Sequence, residues 1–168
     1  ALHVLERMAA EIGEPFDAAS AGVNRSIFMD IYSVMARKHM KQFGSTKEHF
    51  AMVAAKNSFH GRTLGALSVT SQEQYQAPFR PLIPDIEIVE NFTPAALEKA
   101  FSDRVCALVI EPVQGEGGIV PLPADFVRAA RELCDRFDAL LIADEIQCGM
   151  GRTGKYFAFE HYGIKPDV

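Results

Sequence analysis

Two carboxylates in this sequence each follow a short apolar run, and they are the first candidates for chemistry. Asp144 follows the run 139–143, and Glu111 follows the run 105–110. Apolar runs this short, bounded by polar residues, indicate strands that are buried on both faces. Such strands belong to parallel sheets, which bind ligands at the carboxyl ends of their strands. A carboxylate at that position is unfavourable unless it meets a cation, so we expect Asp144 to hold one.

The cation can be a metal ion or an organic group. A metal ion needs further ligands, and only Glu116 and His60 are available from nearby loops. Residues 149–155 have the spacing of the phosphate loop of nucleotide hydrolases, but Tyr156 stands where that loop needs a Ser or Thr. The simplest alternative is that Asp144 only caps the turn that follows it.

A protonated pyridine nitrogen matches the residues better than a metal ion does. Such a ring needs a rigid carboxylate beneath its nitrogen, an aromatic face and a polar group near its hydroxyl. Asp144, Phe59 and Gln147 supply one of each. The sequence therefore favours an organic cofactor with a basic ring nitrogen.

The elements that must position these side chains alternate between strands and helices. Strands are predicted over 86–89, 105–110 and 139–143, and helices are predicted to begin at Thr93 and Pro123. The order strand, Gly-rich loop, helix, strand forms a βαβ unit with an acid at both carboxyl ends. These elements predict an α/β fold with a mostly parallel sheet.

Composition limits the class of protein and of partner. The chain has 168 residues, of which 48% are hydrophobic and 23% charged, and this profile excludes a disordered chain. The net charge of −5 argues against nucleic acid or an anionic membrane as the main partner. No apolar run approaches membrane-spanning length. The three cysteines have no metal-ligand spacing, so we expect free thiols and a cytoplasmic location, or the mitochondrial matrix in a eukaryote.

Several motifs of residues 58–168 resemble one enzyme family. They are Ser58–Thr63, Val109–Gly118, Leu140–Lys155 and Pro166–Val168. In order and spacing they resemble class III aminotransferases of fold type I that depend on pyridoxal phosphate, in particular the acetylornithine and ornithine aminotransferases. The resemblance implies the central part of a large cofactor-binding domain. It also implies a homodimer that transfers an amino group between an amino acid and a 2-oxo acid.

The resemblance implies a role at the cofactor for five residues. Asp144 would pair with the pyridinium nitrogen, while Phe59 and Ile146 would cover the two faces of the ring. Gln147 would donate a hydrogen bond to the phenolic oxygen, and His60 would belong to the same cofactor-binding set.

For three further residues the resemblance implies roles at the substrate. Glu111 would lie beside both cofactor and substrate and, with Asp144, would form the catalytic pair. Arg62 would lie near the substrate mouth, and Glu116 would pair with a substrate-binding arginine elsewhere in the protein.

The first third of the chain resembles a different family. Residues 1–57 are predicted to be helical, with the last helix running over 45–57, and Met35–Asn57 resembles a helical segment of the thiolases. We therefore expect a join near Lys56–Ser58. Thiolase chemistry needs a nucleophilic cysteine, and no cysteine precedes Cys106, so no thiolase catalytic residue carries over.

Two expected parts of an aminotransferase have no counterpart in the sequence. The lysine that binds the cofactor is expected beyond the Pro166–Val168 motif. Lys155 belongs to the turn that ends the Leu140–Lys155 motif and Lys165 to the loop before Pro166, so neither is expected to bind the cofactor. Residues 24–30 stand where the phosphate-binding segment is expected. We therefore expect a fragment that does not transfer amino groups by itself. A non-catalytic remnant and a thiolase-type acyltransferase fragment are the alternatives, and the amino donor is left open.

Overall fold

The computed structural model describes residues 51–168, and a parallel sheet runs through this part of the chain. The strands of this part are β1 Ala51–Ala55, β2 Ile86–Val89, β3 Val105–Ile110, β4 Val113–Gln114, β5 Val120–Pro121 and β6 Leu140–Ala143. Four of them form the parallel sheet in the order β2-β1-β3-β6, and all three neighbouring pairs are parallel. A short antiparallel pair, β4–β5, follows β3.

Helical crossovers connect the parallel strands. Between β1 and β2 lie two short helices and a 3₁₀ turn, whereas single helices join β2 to β3 and β3 to β6. The helices are α1 Leu64–Val69, α2 Glu73–Gln76, α3 Pro94–Ala100 and α4 Ala124–Phe137, and the 3₁₀ turns are Ala77–Phe79 and Ala158–Tyr162. The protein is thus an α/β fold with a mostly parallel sheet flanked by helices.

The two long crossover helices follow from local sequence. The Thr93 hydroxyl accepts a hydrogen bond from the Ala96 amide, and Pro94 begins α3, as the sequence predicts. Helix α4 is amphipathic and ends at Asp138, whose backbone is left-handed with φ 54°. Its inward face consists of the buried residues Phe126, Val127, Ala130, Leu133 and Cys134.

The core lies between these helices and the sheet. Leu108 and Ile110 of β3 are fully buried, as are Leu97 of α3 and Phe126 of α4. Because β3 lies between β1 and β6 and is covered by helix, its residues after the first two are all buried. The prediction that this run is a strand buried on both faces is confirmed, and so is the βαβ unit that continues to β6.

One predicted helix is wrong where the structure describes it. Residues 51–55, assigned from sequence to a helix over 45–57, form β1 at the centre of the sheet, with Val53, Ala54 and Ala55 fully buried. A run of five residues cannot distinguish a buried strand from a helix turn by periodicity, and pairing with β2 and β3 decides the outcome. The sheet therefore begins before the predicted join near residue 57.

Two smaller observations complete the comparison with the sequence predictions. The stretch 74–84, predicted as a loop, includes the end of α2 and the 3₁₀ turn at Ala77–Phe79. Within residues 51–168 no helix combines the length and apolar character needed to cross a membrane. The helices predicted over 1–13 and 26–44 and the segment 24–30 lie outside the described residues.

Candidate functional site

Strand register brings the two strand-end carboxylates to one edge of the sheet. Ile110 of β3 pairs with Ala143 of β6, so Glu111 and Asp144 are the next residues of adjacent parallel strands. The Asp144 amide donates a hydrogen bond to the Ile110 carbonyl, at 2.8 Å, and this continues the ladder by one residue. Both carboxylates therefore leave the sheet at its carboxyl edge, where ligands of parallel sheets bind.

Asp144 is held by the imidazole of His60. His60 Nδ1 lies 2.8 Å from Asp144 Oδ2, and the Ile146 amide donates to Oδ1 at 3.2 Å. Burial alone raises the pKa of Asp144, but the hydrogen bonds from His60 and Ile146 and the electrostatic interaction with His60 lower the net pKa below its ordinary value. Asp144 is therefore an anion at neutral pH, although only 19% of its side chain is exposed.

The contact with Asp144 makes His60 Nδ1 a hydrogen-bond donor. Because the Asp144 carboxylate is ionised and can only accept, an N–H lies at His60 Nδ1. The His60 side chain is 4% exposed, and Nε2 has no hydrogen-bond partner among the described residues. The His60 amide donates to Thr70 Oγ1 at 2.9 Å, which fixes the backbone beneath the ring.

Glu111 organises the loops around the site. Its Oε1 accepts from the Phe59 amide at 2.8 Å and its Oε2 accepts from the Gly115 amide at 3.0 Å. Glu111 is 2% exposed. Burial raises the pKa of this carboxyl, and the two amide hydrogen bonds and His60 counteract only part of that increase. Glu111 therefore ties the loop after β1 to the loop after β3.

The turn after Asp144 presents two of the predicted cofactor residues. Ile146 is 83% exposed, and Gln147 is also exposed. The Gln147 side chain packs on Gly115, where an added Cβ would lie 2.8 Å from Gln147 Cγ. Only a glycine at position 115 leaves Gln147 in its present place.

Phe59 and Arg62 lie together on the loop after β1. The Arg62 guanidinium lies 5.8 Å from the centroid of the Phe59 ring and 4.6 Å from that of Tyr75. Phe59 and Tyr75 contact each other edge to face, with centroids 5.4 Å apart. Tyr75 was not predicted, because its only signal is its proximity in space to a motif that ends at Thr63.

Glu116 lines a cleft that the Asp144–His60 pair does not line. It lines an open, polar cleft of about 380 Å³ together with Asn57, Gln72, Glu73, Gln74 and Gly117. Neither Asp144 nor His60 lines this cleft. The structure thus gathers Phe59, His60, Glu111, Asp144, Ile146 and Gln147 around one sheet edge. Glu116 follows Gly115, whose amide bonds Glu111, and lines the adjoining cleft.

Glu145 is a second residue that the sequence did not indicate. Its Oε2 accepts from the Ala158 amide at 2.6 Å and its Oε1 accepts from the Phe159 amide at 2.8 Å. These bonds fasten the turn that carries Asp144 to the 3₁₀ turn at Ala158–Tyr162. The two amides lie 13 and 14 residues away in a segment without periodicity, so no local sequence pattern predicts these hydrogen bonds.

Other candidate chemistry is limited in the described part of the chain. Within residues 51–168 no three His, Cys, Asp or Glu side chains are grouped as metal ligands. Lys155 and Lys165 are both exposed. The three cysteines are free thiols, and burial raises the pKa of Cys134 to about 12 and that of Cys148 to about 11, which leaves both unreactive at neutral pH.

Comparison with known proteins gives a consistent answer. The family model "Aminotransferase class-III" matches residues 32–168. The acetylornithine aminotransferase of Neisseria meningitidis serogroup B is 50% identical over 135 residues, which are 80% of this chain and 33% of that protein. The putrescine aminotransferase of Pectobacterium atrosepticum is 44% identical over 139 residues, covering 79% of this chain and 30% of that protein.

A solved structure agrees with these sequence relatives. The ornithine aminotransferase of Toxoplasma gondii ME49 superposes with a TM-score of 0.73 at 30% identity, over 97% of this chain and 39% of that one. The chain spans about a third of the length of the curated relatives it matches. The resemblance of residues 1–57 to thiolases is not supported, because the aminotransferase match already begins at residue 32. The chain belongs to the class-III aminotransferase family.

Proposed function

We propose that this chain forms the central, cofactor-binding part of an aminotransferase. The reaction is transfer of an amino group between an amine donor of the acetylornithine or ornithine type and a 2-oxo acid. The observation that carries the proposal is the ionised, half-buried Asp144 held by His60 at the carboxyl edge of the sheet. The relatives are named for acetylornithine, putrescine and ornithine, which all carry a terminal primary amine.

Class III aminotransferases depend on pyridoxal phosphate, and the residues at this edge fit its ring. Asp144 is an anion whose ionic partner among residues 51–168 is His60 alone, so one face of the carboxylate can receive a pyridinium N–H. In this proposal Phe59 and Ile146 cover the two ring faces, and Gln147 donates to the phenolic oxygen. When bound, pyridoxal phosphate supplies an electron sink for the carbon that carries the amino group.

The remaining roles concern what the protein does to the cofactor and substrate. Asp144 keeps the ring nitrogen protonated because its own proton is lost well below neutral pH. Glu111 holds the Phe59 amide and so sets the height of that ring above the sheet. Arg62 binds a substrate carboxylate, and Glu116 pairs with a substrate-binding arginine elsewhere in the full-length protein. We assign the covalent lysine to neither Lys155 nor Lys165.

The proposal extends to assembly and location as the family implies them. We propose a homodimer in the cytoplasm, in which this chain supplies part of each large domain. The support is the family membership.

The test uses the complete reading frame that encodes this chain, expressed with pyridoxal phosphate. We expect the purified protein to retain the visible absorbance of the bound cofactor after dialysis. It should also transfer an amino group from acetylornithine, ornithine or putrescine to 2-oxoglutarate. Asp144→Asn keeps the shape of the side chain but removes its charge, and the rate of amino-group transfer should fall by about 10²-fold or more.

Two controls make the result specific. Asp125→Asn alters an acid in the first turn of α4, on the surface, and should leave cofactor absorbance and transfer unchanged. Loss of transfer in an Asp144→Asn enzyme that is folded, as judged by its circular dichroism spectrum, would support the proposal. An Asp144→Asn enzyme with the unsubstituted rate would show that Asp144 does not act on the cofactor.

A further inference from the structure

Arg62 is held by aromatic rings instead of by a carboxylate. Its guanidinium carbon lies 4.6 Å from the Tyr75 ring centroid and 5.8 Å from that of Phe59. Within residues 51–168 Arg62 forms no ion pair, whereas Arg80 pairs with Glu73 nearby. A guanidinium that stacks on a ring keeps its charge and its N–H donors for another partner.

Tyr75 contacts two residues of the loop after β1. The proposed function assigns one of them, Phe59, to the cofactor and the other, Arg62, to the substrate. The Tyr75 ring meets Phe59 edge to face at 5.4 Å and an angle of 71°, in addition to its contact with Arg62. Pairs of this geometry favour a single mutual orientation of the rings. Moving Tyr75 would therefore disturb Phe59 and Arg62 together.

Tyr75 is itself fixed by the helix that carries it. The side chain of its neighbour Gln76 donates to the carbonyls of Thr70, at 2.8 Å, and Leu67, at 3.1 Å. Thr70 in turn accepts from the His60 amide. A chain of hydrogen bonds thus joins α2, through Gln76 and Thr70, to the loop that Tyr75 contacts.

We propose that Tyr75 is a positioning residue that holds Arg62 in the orientation in which it binds a substrate carboxylate. This inference rests on the proposed function. A carboxylate neighbour would neutralise Arg62 and occupy its donors, whereas the face of Tyr75 orients the guanidinium without using them. Tyr75 therefore favours substrates that carry a carboxylate over amines that lack one.

The experiment measures binding as well as turnover in the complete enzyme loaded with pyridoxal phosphate. Binding is read from the dissociation constant of glutarate, an unreactive dicarboxylate, by titration calorimetry. Turnover is read from the first half-reaction with ornithine and with putrescine, which lacks a carboxylate. Cofactor absorbance confirms that each variant is loaded to the same extent.

Tyr75→Leu removes the aromatic face and Tyr75→Phe retains it. We expect Tyr75→Leu to weaken glutarate binding about tenfold and to raise KM for ornithine by a similar factor, with kcat nearly unchanged. Tyr75→Phe should stay within about twofold of the unsubstituted enzyme. KM for putrescine should not change in either variant. Tyr156→Leu, at a tyrosine that packs on Phe157, is the matched control and should change nothing.

A double-mutant cycle distinguishes an effect of Tyr75 that acts through Arg62 from a general disturbance of the site. Arg62→Ala alone should weaken glutarate binding at least as much as Tyr75→Leu, and adding Tyr75→Leu to Arg62→Ala should weaken it less than about twofold further. If Tyr75→Leu fails to fold, Arg62→Ala still decides whether this guanidinium binds a carboxylate.

The outcomes that overturn the inference differ from those that overturn the proposed function. Three results would each exclude the role of Tyr75. The first is that Tyr75→Leu and Arg62→Ala weaken glutarate binding additively. The second is that Tyr75→Leu raises KM equally for ornithine and putrescine, and the third is that Arg62→Ala binds glutarate normally. An unsubstituted enzyme that neither retains pyridoxal phosphate nor transfers amino groups would overturn the function, and the inference with it.

Discussion

His60 Nδ1 donates a hydrogen bond of 2.8 Å to Asp144 Oδ2, although the two residues lie 84 positions apart in the chain. The bond joins the loop after β1 to the end of β6 across the edge of the sheet. Because His60 is almost fully buried, its N–H faces Asp144 without competition from water. The pair keeps the carboxylate ionised and in one orientation.

Replacing His60 by Leu should raise the pKa of Asp144, because the hydrogen bond is lost while burial of the carboxyl remains. The native pKa of Asp144 is lowered, so its contribution to stability is complete above the unfolded pKa and disappears as pH falls through the native one. We expect His60→Leu to lower the free energy of unfolding at pH 7 by about 1.5–3 kcal/mol. As pH falls, the free energy of unfolding should decrease less in His60→Leu than in the unsubstituted protein.

The measurement is an NMR titration of the Asp144 carboxyl together with denaturant unfolding at neutral and acidic pH. His161→Leu is the control, because His161 is exposed and, within residues 51–168, its ring bonds only to Thr153. An unchanged titration of Asp144 in His60→Leu would contradict the prediction.

Gly115→Ala should displace Gln147, because the new Cβ would lie 2.8 Å from Gln147 Cγ. If Gln147 donates to the cofactor, losing that bond weakens pyridoxal phosphate binding about tenfold. Absorbance titration of the cofactor measures this effect. Gly65→Ala places a methyl group on α1 at 4.0 Å from Ile83 Cδ1, an ordinary van der Waals contact, and should leave affinity unchanged. Equal affinity in both variants would remove Gln147 from the cofactor site.

Glu111→Gln should destabilise the fold, because Glu111 accepts one amide N–H on each oxygen. The glutamine side chain has a single oxygen, so either the Phe59 or the Gly115 amide loses its acceptor. We expect the free energy of unfolding to fall by about 1–3 kcal/mol at pH values below the unfolded pKa of the carboxyl, and by less at neutral pH. Glu98→Gln, on the surface of α3, should cost less than about 1 kcal/mol.

Glu111→Gln should also change how the free energy of unfolding depends on pH. Burial raises the pKa of Glu111, so the native state holds this proton more tightly than the unfolded chain does. Stability from Glu111 therefore decreases as pH rises from the unfolded pKa to the higher native one, and Glu111→Gln should remove this slope. Urea unfolding across that interval tests it, and an unaltered slope would assign the titration to another group.

Asp138→Gly should stabilise the protein, because Asp138 ends α4 in the left-handed region at φ 54°. Glycine adopts this conformation without the steric penalty of a side chain, so we expect a gain of about 0.5–1 kcal/mol. Arg128→Gly, within the same helix, should have the opposite sign and lose about 0.5–1 kcal/mol. Thermal unfolding of both variants distinguishes a conformational effect from a general effect of glycine.

Features that depend on neighbouring residues can be predicted from the sequence alone. The apolar runs before Glu111 and Asp144 predict β3 and β6, since a short uninterrupted run can be buried on both faces. Thr93 and Pro94 predict the start of α3, because capping involves only the first turn. The motifs of residues 58–168 also sufficed to indicate the family.

Features that depend on residues distant in the chain become visible only in the folded protein. The run Ala51–Ala55 becomes a strand because β2 and β3 flank it, and its own periodicity does not distinguish strand from helix. The roles of Tyr75 and Glu145 arise from contacts with a loop and a turn that chain order leaves unspecified. The His60–Asp144 bond likewise exists because parallel pairing brings the carboxyl ends of β1, β3 and β6 to one edge.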